Sequence, residues 1–207
     1  MFPRLYAIAD ADLLRARGLE LLPFVAELQT AGVTLCQYRN KSGSVRAILK
    51  EMQRLNGLRS GKDFRLILND RADLALLAGA DGVHVGQQDL APKDARRIVG
   101  PARWVGVSTH DLAQLEAADA SDCDYIAYGP VFPTATKQNP DPVVGLAGLR
   151  EARRRTRKPL VAIGGITTAN ARQVLDAGAD SIAVISALLP AHQSSKQAAE
   201  AFLSILA

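Results

Sequence analysis

Two aspartates and three basic side chains carry the first chemical suggestion in this sequence. Asp70 closes the run "RLILND", and Asp89 follows "GVHVG" in "GQQDL". Two carboxylates at the ends of neighbouring strands, with waters, make an oxygen site suited to Mg²⁺. Each also has an ordinary reading, because Asp70 precedes "RADLALL" and Asp89 precedes "APKDARR", and an aspartate there caps a helix. Arg39 and Lys41 in "QYRNK", and Lys137 in "GPVFPTATKQNP", add cations. On the same rim they suit a diphosphate that a metal bridges to the carboxylates. Gly164 and Gly165 in "AIGGI" offer backbone N–H groups to an anion with no Cβ in the way, and "VIS" adds those of Ile185 and Ser186. A plain tight turn is the alternative. The histidines say less. His84 reads as a packed, satisfied side chain, His110 as a substrate contact or a helix-start residue, and His192 as a loop residue. They make no metal set.

These residues need a scaffold that brings them together. Short apolar runs recur eight times: "RLYAIAD", "TLCQYRN", "RLILND", "GVHVG", "RWVGVST", "DYIAYGPV", "PLVAIGGI" and "SIAVISAL". Helical spacing fills the intervals. Val45, Ile48, Leu49, Met52 and Leu55 form one stripe, Ala171, Val174, Leu175 and Gly178 another, and Ala198, Phe202, Ile205 and Leu206 a third. "AGADGV" and "AGADSI" read as one helix-to-strand turn used twice. The pattern predicts an α/β fold, a (β/α)8 TIM barrel formed by residues 1–207 as a single catalytic domain. A doubly wound open sheet is the competitor, but no "GxGxxG" follows the first run. In a barrel the chemistry belongs to the C-terminal ends of the strands, which is where the polar residues above fall.

Composition narrows the class. The chain has 207 residues, 48% of them hydrophobic, enough for one sizeable core. No run of 18 apolar residues occurs, so no membrane partner is expected. "MFPRLYAIAD" lacks the pattern of a signal peptide, and the two cysteines, Cys36 and Cys123, read as buried thiols, so the cytoplasm is the expected compartment. A net charge of +4 is mild. The basic run Arg153–Lys158 has no interleaved aromatics and falls at a helix end, where cations oppose the dipole, so no nucleic-acid partner is expected.

In order along the chain, "QYRNK", "LNDR", "DGVHVGQQDL", "GVSTH", "GPVFPTATK", "AIGGI" and "AVISAL" resemble one family, the thiamine-phosphate synthases. The resemblance covers essentially the whole chain. It implies a transferase of thiamine biosynthesis that joins 4-amino-2-methyl-5-(diphosphooxymethyl)pyrimidine to a thiazole phosphate and releases pyrophosphate. Carried onto this sequence, it assigns Gln37, Tyr38, Arg39, Asn40, Lys41, Asn69, Ser108 and Lys137 to the pyrimidine diphosphate. Of these, Arg39, Lys41, Ser108 and Lys137 form the catalytic set. It gives Thr134, Ala135, Thr136, Gly165, Ile185 and Ser186 to the thiazole phosphate, and Asp70 and Asp89 to one Mg²⁺. Asn40 stands where relatives often have an acid, and its side chain is expected to point away from substrate. The loop after Lys137 is expected to act as a lid. Such a substitution at a CH₂ on an electron-rich ring needs no nucleophile or base, and none stands out. A thiazole tautomerase of the same superfamily is the rival, but it tends to lack these aspartates and to use a histidine in the strand-six loop. A non-catalytic sensor of thiamine precursors is a third reading, and it would have lost the metal ligands. The oligomeric state stays open, a homodimer among the options.

Overall fold

The computed structural model describes residues 2–59, 63–134 and 141–207. Eight parallel strands close into a barrel in sequence order: β1 Leu5–Asp10, β2 Leu35–Arg39, β3 Arg65–Asn69, β4 Gly82–Val85, β5 Trp104–Thr109, β6 Tyr125–Tyr128, β7 Leu160–Ala162 and β8 Ser181–Val184. β8 returns to β1 with Leu5 opposite Ile182. The strands coincide with the eight apolar runs. The helices between them are α1 Ala11–Ala16, α2 Leu21–Thr30, α3 Val45–Gly57, α4 Ala72–Leu77, α5 Pro92–Val99, α6 Leu112–Asp119, α7 Gly145–Arg155, α8 Ala171–Asp176 and α9 Ser195–Leu206.

A strand alternates its side chains between two faces, and in a barrel both faces are buried. One set, with Leu5, Ala7, Cys36, Tyr38, Leu66 and Leu68, meets the helices in the main core. The other points inward, where Tyr6, Leu35, Ile67, Tyr125, Val161 and Ala183 pack against one another. An eight-stranded barrel is only wide enough for side chains to fill it. Space there is rationed, and Gly106 shows how. A Cβ on Gly106 would lie 2.0 Å from Cζ of Tyr125. The ring of Tyr125 fits because β5 carries no side chain at that point.

The helical stripes pack as their spacing requires. Ile48, Met52 and Leu55 of α3 are buried, but Val45, the first residue of that helix, is 45% exposed. It lies in the opening turn beside the β2–α3 loop, beyond the part of the helix that lies against the barrel. Ser44 caps α3 through Ala47 N–H at 3.3 Å, and Ser194 and Gln197 form a reciprocal capping box on α9. Cys36 and Cys123 are buried free thiols, and burial pushes the Cys36 thiol up to about 12. The basic run is used within the helix layer: Arg153 pairs with Asp180, Arg154 with Glu151, and Arg155 with Glu151 and Glu116. Among the described residues no helix is long and apolar enough to cross a membrane.

Candidate active site

Asp70 is not a helix cap. The cap position of α4 belongs to Arg71, which makes no side-chain capping bond, and Arg71 turns outward to Asp73. The Arg71 N–H instead donates to the Asn69 carbonyl at 2.8 Å, two residues back, which centres a three-residue turn on Asp70. Asp70 has φ +64°, and among the described residues it is the one non-glycine with a positive φ. Turns of this hand are rare and strained. The Asp70 N–H is fixed by the His84 carbonyl at 2.7 Å. The strain is spent on aiming one carboxylate over the strand ends.

Asp89 is not a helix cap either, since the residue before α5 is Ala91. Its Oδ2 accepts from Gly86 N–H at 2.7 Å, closing the turn after β4 and facing Asp70. Lys41 Nζ lies 3.1 Å from Asp70 Oδ2. Burial raises the Asp70 pKa; the Lys41 ammonium opposes this, and the negative charge of Asp89 adds to it. Asn40, Lys41, Asn69, Asp70, Arg71 and Asp89 line one cleft of about 250 Å³. Among the described residues no group of three or more His, Cys, Asp or Glu gathers in a metal-holding cluster. The protein offers a carboxylate pair, which suits a hard cation whose other oxygens come from ligand phosphate and water.

Arg39 is positioned by Asp10, a residue the sequence reading did not single out. Asp10 is 4% exposed at the end of β1, directly across from Arg39 in the strand register. One carboxylate oxygen holds Arg39 Nη1, and the other caps α1 through Leu13 N–H at 2.9 Å. The polar end of "RLYAIAD" was the available signal.

A chain of hydrogen bonds crosses the barrel beneath the rim. Gln37 Nε2 donates to the Tyr6 hydroxyl at 2.9 Å, and the Tyr6 and Tyr125 hydroxyls are 2.9 Å apart. His84 Nδ1 is 3.0 Å from the Tyr125 hydroxyl, and His84 Nε2 is 2.8 Å from Ser108 Oγ. Burial pushes the His84 ring down to about 4, so it is neutral near pH 7. His84 is satisfied, as expected, but it joins two proposed substrate residues. Gln87 Nε2 also holds the Ser108 carbonyl at 2.6 Å.

The glycine turn has a packing reason. Gly164 and Gly165 have φ +88° and +67°. A Cβ on Gly164 would lie 2.4 Å from Pro130 Cβ, and one on Gly165 would lie 2.5 Å from the Pro133 carbonyl oxygen. The segment that leads to Thr134 therefore lies directly on this turn. Val131 N–H and Phe132 N–H donate to the carbonyls of Ile163 and Gly164 at 2.8 and 3.1 Å. Among the described residues no acceptor meets the Gly165 N–H. The turn does not open straight into a helix. Thr167 N–H donates to Asn170 Oδ1 and Asn170 Nδ2 to the Gly165 carbonyl, and α8 starts only at Ala171. Ile185 and Ser186 follow β8, Ser186 opening a 3₁₀ turn to Leu188. His110 ties the end of β5 to the segment between β6 and α7, with Nδ1 2.7 Å from the Gly129 carbonyl and Nε2 3.4 Å from Asp141.

Two assigned residues behave differently from the rest. The Tyr38 side chain is fully buried on the helix side of β2 and its hydroxyl donates to Glu51. That side chain faces away from the rim, because position 38 falls on the outward phase of β2, and the residue is fully buried in the helix-side core. Asn40 lines the cleft, but its Nδ2 donates to the Tyr38 hydroxyl at 2.8 Å and its Oδ1 accepts from Gly43 N–H at 2.8 Å. Its polar atoms are used within the protein, tying the loop to β2 and α3. Ala135, Thr136, Lys137 and the expected lid segment through Pro140 lie outside the described residues.

A closed (β/α)8 barrel with acids, cations and a glycine turn on its C-terminal rim defines a barrel enzyme. The chain belongs to the thiamine monophosphate synthase family, whose model matches residues 5–188. It is 54% identical to a thiamine-phosphate synthase from Koribacter versatilis over 206 residues, which is 99% of this chain and 96% of that protein. A thiamine-phosphate synthase from Chloroflexus aurantiacus is 43% identical over 91% of this chain and 86% of its own length. Among solved structures, a thiamine phosphate pyrophosphorylase from Pyrococcus furiosus superposes with a TM-score of 0.86 at 35% identity, covering 98% of this chain and 95% of that one.

Proposed function

We propose that residues 1–207 act as one catalytic barrel, a cytoplasmic transferase of thiamine biosynthesis. It joins 4-amino-2-methyl-5-(diphosphooxymethyl)pyrimidine to a thiazole phosphate and releases pyrophosphate. The observation that carries this reading is the strained carboxylate of Asp70 facing Asp89 with Lys41 beside it. Two close carboxylates, one of them raised by burial and repulsion, are a poor arrangement alone and a good one around a dication. Asp70 and Asp89 would hold one Mg²⁺, which would supply charge neutralisation to the leaving diphosphate.

The reaction asks little covalent work of the chain. The C–O bond to the diphosphate breaks, and the electron pair leaves on oxygen. The aminopyrimidine ring spreads the positive charge left on its CH₂, and the thiazole nitrogen lone pair forms the new C–N bond. Charge balances without a proton transfer, so neither base nor nucleophile is required. The chain binds and orients. Arg39, braced by Asp10, and Lys41 face the departing charge, with Lys137 assigned to the same task by the sequence. Ser108, Asn69 and Gln37 fix the pyrimidine diphosphate. Gly165, Ile185 and Ser186, with Thr134, Ala135 and Thr136, receive the thiazole phosphate. Small molecules are the partners, and neither nucleic acid nor membrane enters.

Pyrophosphate release in the presence of both substrates, with and without Mg²⁺, tests the reading. Release that needs all three components is expected. Release from the pyrimidine diphosphate at full rate without the thiazole phosphate would replace the transferase by a hydrolase.

A further inference from the structure

The hydrogen-bonded chain from Gln37 to Ser108 has only two self-consistent polarities. Each tyrosine hydroxyl carries one proton, and a neutral imidazole carries one N–H. If Gln37 donates to Tyr6, then Tyr6 donates to Tyr125 and Tyr125 to His84 Nδ1. His84 then carries its proton on Nε2 and donates to Ser108 Oγ. In the reverse polarity Ser108 donates to His84 Nε2, His84 Nδ1–H to Tyr125, Tyr125 to Tyr6, and Tyr6 to the carbonyl oxygen of Gln37. The structure has Gln37 Nε2 as the donor to Tyr6. That choice at one end of the barrel decides the state of Ser108 at the other.

We propose that His84, held by Tyr125 and Tyr6, is a positioning residue that sets the donor direction at both ends of this chain. It commits Ser108 Oγ to accept from the ring, so the Ser108 proton is directed at an anionic oxygen of the bound diphosphate. It also commits the Gln37 amide nitrogen inward, so the Gln37 carbonyl oxygen is the group offered to the ligand. Ser108 is thereby a hydrogen-bond donor to the leaving group, and Gln37 recognises a ligand N–H. Tyr6 and Tyr125 are fully buried and inward-facing, and apolar rings would fill that space as well. Two hydroxyls there serve to carry the polarity between β2 and β5, which are not neighbours in the barrel. Gly106 preserves the ring of Tyr125 in this path, since any side chain there would collide with it.

The inference rests on the pyrimidine diphosphate reading for its consequences, but its core is a tautomer that needs no substrate. The chain has three histidines, so ¹⁵N NMR of imidazole-labelled protein, with His84→Gln to assign the signal, reads the state of His84 directly. A proton on Nε2 is expected. A proton on Nδ1 is the reverse polarity and overturns the proposal. Kinetics with both substrates supply the second readout. Ser108→Ala should lower kcat roughly a hundredfold, and Tyr125→Phe roughly tenfold. The loss caused by Tyr125→Phe should be smaller in the Ser108→Ala background than in wild type, because the part that acts through Ser108 is already gone and only the part through Gln37 remains. Independent, multiplying losses would show that Tyr125 does not act through Ser108, and would overturn the coupling. His84→Gln keeps an amide donor towards Ser108 and should retain more kcat than His84→Phe. Wild-type protein that turns over neither substrate would sink the functional reading while leaving the tautomer result to decide the polarity.

Discussion

At the residue scale, Asp70 shows where sequence and structure part. Its chemistry was legible, since "LNDR" ends an apolar run at the rim. Its competing role as a cap was equally consistent with the letters, because both roles ask for a short carboxylate before a helix. The positive φ decides between them, and no sequence pattern announces it in a non-glycine residue. Asp10 and the Tyr6–Tyr125–His84 path were not legible for a different reason. Asp10 meets Arg39 only once β1 and β2 pair in register, the tyrosine–histidine path forms only across the closed barrel, and "RLYAIAD" and "DYIAYGPV" carry no mark of either meeting. The Asp70 geometry gives a prediction with two opposed signs. Asp70→Asn keeps the shape, tolerates the left-handed backbone, and removes the repulsion from Asp89. Magnesium-dependent turnover should fall at least roughly a hundredfold, while Tm measured without magnesium should rise or hold. A lower Tm with full turnover would reverse the assignment of strain to function.

The elements that build the barrel repeat a device at the opposite rim. Before β4, β6 and β8 stand Asp81, Asp124 and Asp180. Each carboxylate accepts the backbone N–H of the preceding strand, from Leu66 at 2.7 Å, Val105 at 2.6 Å and Leu160 at 2.8 Å. Each aspartate N–H returns a bond to the carbonyl of the same residue, at 2.9, 2.7 and 2.9 Å. Arg59, Arg96 and Arg153 then pair with the three carboxylates. The first and third copies were visible as "AGADGV" and "AGADSI". The second, "SDCDYI", lacks the glycine and so escaped, although its aspartate does the same work. The ion pairs are partly exposed and contribute little alone, but the bracket satisfies a buried strand end. Asp180→Ala should therefore cost about 1–3 kcal/mol in a urea titration. Turnover per folded molecule should not change, because the residue lies at the end of the barrel away from the rim proposed to bind substrate. Loss of kcat in a fully folded Asp180→Ala protein would show that the two ends are not independent.

For the molecule as a whole, the division between ends is the organising fact. The architecture was legible because eight β-rich runs alternate with helical stripes and the polar residues fall after the runs. The interior was less so, since alternation names which residues face inward without saying how they pair. His84 links the two levels, because a neutral buried imidazole ties stability to pH. Burial holds its pKa at about 4 in the fold, against an ordinary value of 6.5. Between those values the unfolded chain binds a proton that the folded chain does not. This contribution is fully present above the ordinary value and is lost as pH falls towards the folded one. It amounts to roughly 3 kcal/mol across the window. The difference in stability between wild type and His84→Gln should shrink as pH drops from 7 to 4.5, and a difference that is flat with pH would mean that the ring titrates normally in the fold.

The central claim is that the rim of this barrel is built to hold a diphosphate together with a dication between Asp70, Asp89 and the neighbouring cations. Isothermal titration of pyrophosphate into the intact protein, with and without Mg²⁺, tests it most directly and asks nothing of catalysis. Wild type should bind pyrophosphate tightly only when Mg²⁺ is present, and Asp70→Asn and Asp89→Asn should each weaken that binding by at least roughly tenfold. Equal binding with and without Mg²⁺, unchanged in both variants, would contradict the account.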